Sequence, residues 1–183
     1  QKVIHAATLT TTTLSEVWQI YIAGEVALAE ASAHQYLVDR HQLKNTRLAM
    51  IPSKEGNAAT VIQGWAWCLV TPDLQRQEGA IAFLLWLMDR ETLAARCASS
   101  LYLPARRDAM LGSVGDADMA AFFTTLLDHA YPRPATSEYE AIAQAMYEAL
   151  RKVLAGNSAP EQAARQVGAV IERIRQERTA GKG

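Results

Sequence analysis

Thr60-Val61-Ile62-Gln63-Gly64-Trp65-Ala66-Trp67-Cys68-Leu69-Val70 is the stretch on which the fold class turns. It is uncharged and rich in β-branched and aromatic types, Thr71-Pro72 stops it, and Asp73 stands ready to cap whatever follows. These residues predict a strand. Side chains alternate along a strand, so Trp65 and Trp67 share one face while Gly64 and Ala66 share the other.

Upstream, Arg47-Leu48-Ala49-Met50-Ile51 is a short apolar run halted by Pro52, predicting another strand, and Ser53-Lys54-Glu55-Gly56-Asn57 is a polar turn cluster between the two. Earlier still, Val17, Trp18, Tyr21 and Ile22 recur at helical spacing, with Thr13 or Ser15 as N-cap and Gly24 as the stop. Glu25 to Glu30 alternates weakly, as a strand would, and Ser32 opens a helix through Tyr36, Leu37 and Val38.

Downstream the pattern is helical. Asp73 to Asp89 carries Ala80, Ile81, Phe83, Leu84, Leu85, Leu87 and Met88 around most of its circumference, so this helix needs cover on several sides. Helices are expected over about 91–99 and 116–130, separated by a loop at Tyr102-Leu103-Pro104-Ala105-Arg106-Arg107. Pro132 and Pro134 enforce an extended segment. Ser137 with Glu140 has capping-box spacing for a helix that Gly156 ends, and Pro160-Glu161 begins a last helix before a loose tail over 179–183.

The composition excludes several classes. Of 183 residues, 18 are basic and 19 acidic, and a net charge of −1 removes phosphate attraction as a driver of binding, so no nucleic-acid partner is expected. Half the chain is apolar, enough for a substantial core. The longest uncharged run, Gly56 to Pro72, holds Asn57, Gln63 and Gly64 and ends in proline, so it predicts no membrane helix and a soluble chain. Cys68 and Cys97 lie far apart in apolar runs, offering neither a disulfide framework nor a zinc ribbon.

Catalytic and metal templates fail on spacing. Gly112-Ser113-Val114-Gly115 lacks a nucleophile elbow and reads as a helix-joining turn. His34 and His41 stand seven residues apart, roughly 10 Å along a helix, too far to share an ion. Glu30 and His34 have an i,i+4 interval without a third ligand. Glu161, Glu172 and Glu177 interleave with Arg165, Arg173 and Arg175 as on a solvated face. No enzyme, cofactor or metal is expected. What remains is aromatic: two indoles side by side can form a platform for the C–H faces of a sugar, or they can be core, and spacing by itself favours the core.

The order of motifs resembles a known family. Trp18, Ile22-Ala23-Gly24-Glu25-Val26-Ala27-Leu28, Ile51-Pro52, Gln63-Gly64-Trp65-Ala66-Trp67, Ala80-Ile81-Ala82-Phe83-Leu84 and Tyr102-Leu103-Pro104-Ala105-Arg106 follow one another as in the C-terminal half of the extracellular solute-binding proteins of carbohydrate ABC transporters. Arg133-Pro134, the helix with Ala141 to Leu150, Gly156 and Pro160-Glu161-Gln162-Ala163 resemble that family's ending. The resemblance implies an α/β, periplasmic-binding-protein-like (type II) fragment, helix-rich with a small mixed sheet. Residues 1–68 would begin the C-terminal lobe, 69–102 would cross the hinge to pack with an N-terminal lobe preceding Gln1, and 103–183 would complete the C-terminal lobe.

The implied function is to hold a sugar or oligosaccharide in the interlobe cleft and deliver it to membrane permease subunits, in the periplasm or outside the cell, with a lipid anchor compatible. The family's cleft residues carry over to Gly64 and Trp65 on the tryptophan strand and to Pro104 and Arg106 on the loop, with Trp67 and Tyr102 beside them as candidate ligand contacts. Ser32, His34 and Tyr139 follow as further contacts, although Gln63-Gly64 replaces a glycine pair and Ser32-Ala33-His34 replaces an aromatic. With the first lobe missing, Phe83, Leu84, Trp86 and Leu87 should be partly uncovered, and the chain is expected to self-associate as a homodimer by exchanging this helix. The competing class is a helical protein-interaction module with buried tryptophans and no small-molecule ligand.

Overall fold

Capping residues fix most of the helix starts. The computed structural model describes residues 6–53, 56 and 58–180, so Gln1 and most of the expected turn at Lys54, Glu55 and Asn57 lie outside the described residues. Among the described residues there are eight α-helices and a two-stranded parallel sheet. The chain divides into two compact units, one of Thr13–Arg133 and one of Gln1–Thr12 with Pro134–Gly183.

In the Thr13–Arg133 unit, α1 (Leu14–Ile22) starts with a reciprocal cap. The Glu16 N–H donates to Thr13 Oγ1 at 3.3 Å and the Thr13 N–H donates to a Glu16 carboxylate oxygen at 3.1 Å. Ser32 and Gln35 repeat that arrangement for α2 (Ala33–Asp39). The two helices are tied by Trp18, a buried ring whose Nε1–H donates to Asp39 Oδ2 at 2.7 Å and which stacks on Tyr21 at 5.3 Å. Tyr21 in turn shares a 2.7 Å hydrogen bond with Thr46.

The sheet is smaller than the residues predict. β1 covers Thr60–Ile62 and pairs in parallel with β2, Ala130–Pro132, with Thr60 opposite Ala130 and Ile62 opposite Pro132. The expected strand beyond Ile62, and those over 25–30 and 47–51, are irregular chain instead. A strand needs a neighbour to satisfy its backbone. Here β2 is three residues long and ends in a proline that donates no hydrogen bond, so pairing stops where the partner does. The sheet is therefore two parallel strands, not a mixed one.

Asp73 caps α3 (Leu74–Leu87) by accepting from the Arg76 N–H at 3.1 Å. After α4 (Arg90–Ser100) the loop at 101–106 leads through a 3-10 turn, Arg107–Ala109, into α5 (Met110–Val114). Gly115, at φ 73°, ends α5 in the left-handed conformation that costs glycine nothing, and Asp116 caps α6 (Ala117–Asp128). The expected turn at 112–115 is thus mostly the end of a short helix.

Leu37, Met110, Val114, Ala120 and Phe123 form the main core cluster, flanked by Tyr36, Leu103, Phe122 and Leu126. Arg40 fastens α2 onto it by donating to the Val114 carbonyl at 2.9 Å. A second cluster holds Leu93, Ala94, Cys97 and Ala109. There α4 and α5 approach so closely that a Cβ on Gly112 would stand 3.0 Å from Ala94 Cβ.

In the other unit, α7 (Tyr139–Leu154) and α8 (Pro160–Ala180) pack as a helical hairpin. Gly156, at φ 76°, makes the turn after α7, and Pro160 opens α8. Ser137 does not cap α7: its hydroxyl donates to the Glu138 carboxylate at 2.8 Å, and the helix begins at Tyr139 without a side-chain cap. The expected loose tail is helical up to Ala180, and 181–183 lie outside the described residues. Ala163 is the buried apolar residue of α8.

Candidate functional site

The segment 63–70 is held at its two ends. On one side stands β1. On the other, Thr71 accepts at its carbonyl from the Gln77 amide at 2.7 Å, and its hydroxyl accepts from the Asp73 N–H at 3.3 Å. Every residue from 61 to 70 is exposed. Trp65 is 94% exposed and Trp67 59%, so neither indole is core. Trp67 lies under the guanidinium of Arg96, whose Cζ is 5.9 Å from the ring centroid and so within cation–π range. A Cβ on Gly64 would meet nothing within 4 Å, so no close approach requires glycine there.

A second group forms where α4 ends. Leu101 closes that helix at φ 58°, a left-handed conformation unusual for a residue with a Cβ. Its carbonyl lies 3.0 Å from His34 Nδ1, and the His34 ring stacks on Tyr102 at 4.2 Å with only 5° between planes. The structure thus brings together His34 and Tyr102, two residues far apart in sequence. Tyr102 remains 49% exposed, with half its surface open. Ser32, expected as a contact, is committed to capping: its Oγ accepts from the Gln35 N–H at 3.1 Å.

Pro104 is buried and directs the loop toward Arg106. Arg106 makes a forked ion pair with Asp108, from Nε at 2.9 Å and Nη2 at 2.6 Å. The hydrogen bonds to Asp108 push the guanidinium further up, and the same guanidinium holds the Asp108 carboxyl below the usual carboxylate range. The fork fixes the plane of Arg106 and leaves its Nη1 hydrogens outside the pair. Tyr139, half-buried, is the first residue of α7 and belongs to the Pro134–Gly183 unit.

Two concavities, of about 320 and 150 Å³, lie on that same unit. Thr12, Glu140, Ala143, Gln144 and Tyr147 line the first, and Glu148, Lys152, Gln166 and Val167 are among those lining the second. Neither includes any of the eight expected ligand residues. Arg96 and Asp108 are the neighbours that sequence reasoning passed over. Asp108, two residues after Arg106, was open to notice as an ion-pair partner, whereas nothing local places Arg96 over Trp67.

Beyond the segment 61–70, a further stretch of apolar surface lies on α3. Phe83 and Trp86 are 54% and 59% exposed with ring centroids 5.8 Å apart, and Leu74, Ile81 and Leu85 are exposed as well. Leu84 is half-covered, while Leu87, expected to be partly uncovered, is buried at the end of α3. Ser113 is buried on α5, near enough to Cys97 to influence its thiol but out of hydrogen-bonding geometry. Burial pushes that thiol up, against smaller downward pulls from Arg96 and Ser113.

Among the described residues no cluster of three metal-ligating side chains occurs, and no helix is long and apolar enough to cross a membrane. No family model, curated protein or solved structure matches the chain.

Proposed function

We propose that the chain is the C-terminal part of an extracellular solute-binding protein, which holds a sugar or oligosaccharide and delivers it to the permease subunits of a carbohydrate ABC importer. The observation that carries this reading is the openness of the Trp65 indole, 94% exposed on a segment whose neighbours leave both ring faces to solvent. An open indole gains free energy when an apolar face covers it and removes it from water, and a pyranose offers a flat C–H face of matching size. Tyr102, braced by His34, would add a second ring, and the Nη1 hydrogens of Arg106 would donate to hydroxyl or ring oxygens.

In this reading Gly64 keeps the approach to Trp65 open, Trp67 steadies the segment through Arg96, and an N-terminal lobe covers α3 and contributes the other wall of the cleft. Ligand contact with both lobes would then favour a closed state that the permease recognises. The protein would act in the periplasm or outside the cell.

Tryptophan fluorescence titrated with mono- and oligosaccharides at about 1 µM protein tests the proposal. Trp65→Ala should weaken binding by about tenfold or more, as expected for a stacked ring worth at least ~1.4 kcal/mol, and leave thermal stability unchanged. No saccharide response in the wild-type chain and in its full-length parent, or equal affinity in the variant, would refute it.

A further inference from the structure

The run from Thr60 to Pro72 carries no charge, its residues 61–70 are all exposed, and among the described residues no backbone hydrogen bond engages 64–70. Thr60–Ile62 is already a strand, and an exposed, uncharged run rich in β-branched and aromatic residues that extends beyond it can take up another strand by pairing. We propose that this run pairs antiparallel with the same run of a second copy, about a two-fold axis through Ala66. The inference stands apart from the carbohydrate reading.

The occupant follows from symmetry and area. A closed two-fold interface places the same surface on both copies, and an axis that crosses the run at right angles through one residue makes the two copies of it antiparallel. Ala66 is the midpoint between Thr60 and Pro72, so centring there uses the whole uncharged length. That register sets Trp65 against Trp67 of the second copy on one face, and on the other face Ile62 against Val70 with the slim Gly64, Ala66 and Cys68 between them, cross-strand pairs of the stabilising kind. No like charges meet. At about 250 Å² per full ring, the two indoles expose on the order of 380 Å² per copy, an upper limit on what pairing can cover of them, against the ~800 Å² per partner of a standard interface. Val61, Ile62, Leu69 and Val70, all exposed, supply much of the rest.

Sedimentation velocity up to about 100 µM should show a reversible dimer. Ala66→Pro removes an N–H at the axis from a segment that makes no backbone bond within its own chain, so it should weaken association by about tenfold or more with the far-UV spectrum unchanged. Leu85→Lys, on the open face of α3, should leave the dimer intact. Under mild oxidation Ala66→Cys with Cys68→Ser should form a linked dimer, whereas Gly64→Cys with Cys68→Ser should not, since its thiols would stand about 14 Å apart along the pair. A monomer at the highest concentration, a dimer indifferent to Ala66→Pro or abolished by Leu85→Lys, or equal cross-linking at both positions would overturn the proposal. The saccharide titration is made on dilute monomer, so the two outcomes are independent.

Discussion

Gly112→Ala tests the close approach of α5 to α4. The added Cβ would stand 3.0 Å from Ala94 Cβ, several tenths of an ångström inside ordinary carbon contact. Ala94 cannot rotate away, because its Cβ is fixed to the backbone of α4, so one helix must move and disturb the packing of Leu93, Cys97 and Ala109. Overpacking of this kind costs about 1–3 kcal/mol. Alanine also improves the helix by up to about 1 kcal/mol over glycine, which opposes the loss. The expected net is a destabilisation of ~1 kcal/mol, or a fall of about 0.5 M in the urea midpoint for a slope near 2 kcal/mol/M.

The assay is urea unfolding followed by Trp18, the buried indole of the unit. A double-mutant cycle with Ala94→Gly isolates the clash, since removing the facing methyl makes room for the new one. The two changes should then couple by ~1–3 kcal/mol, well above the 0.3–0.5 kcal/mol scatter of independent sites. A stabilised Gly112→Ala protein, or additive variants, would show that α4 and α5 do not meet in this way.

Two further outcomes follow from the titrating groups. Cys68 is exposed and Cys97 is buried with its thiol pushed up, so a thiol reagent should label the first promptly and the second only through unfolding; equal rates would contradict the second core cluster. Because Arg106 holds Asp108 below the ordinary carboxylate range, their pairing is complete above that range and is lost as pH falls through the lowered midpoint. Carboxyl carbon shifts should give Asp108 a midpoint below the ordinary carboxylate range, and Arg106→Gln should bring it back up; an ordinary midpoint in the unaltered protein would remove the fork.

What could be read from the residues was local. Asp73 as the cap of α3, Thr13 as the cap of α1, Ser32 at the start of α2, Gly156 after α7 and Pro160 at the start of α8 all lie where their side chains or backbone preferences place them. Strands were less legible because their length depends on a partner. Thr60 to Val70 has the composition of one long strand, yet only the part opposite Ala130–Pro132 is paired. Ser137 illustrates a different failure: its capping-box spacing with Glu140 is real, but Glu138 takes the hydroxyl first. At the candidate site, the exposure of Trp65 could not be read from alternation, which serves a buried and an open ring equally well. The stacking of His34 on Tyr102 depends on a left-handed Leu101 that no residue type announces.

The division of the chain also sets an order of events during synthesis. Thr13–Arg133 is continuous, whereas its companion joins Gln1–Thr12 to Pro134–Gly183. As the polypeptide leaves the ribosome, the continuous unit has all its core residues, Phe123 included, before α7 and α8 have been translated. The helical hairpin is made after that unit, so a product stalled or terminated before α7 would carry Trp65, Tyr102 and Arg106 on an already folded body.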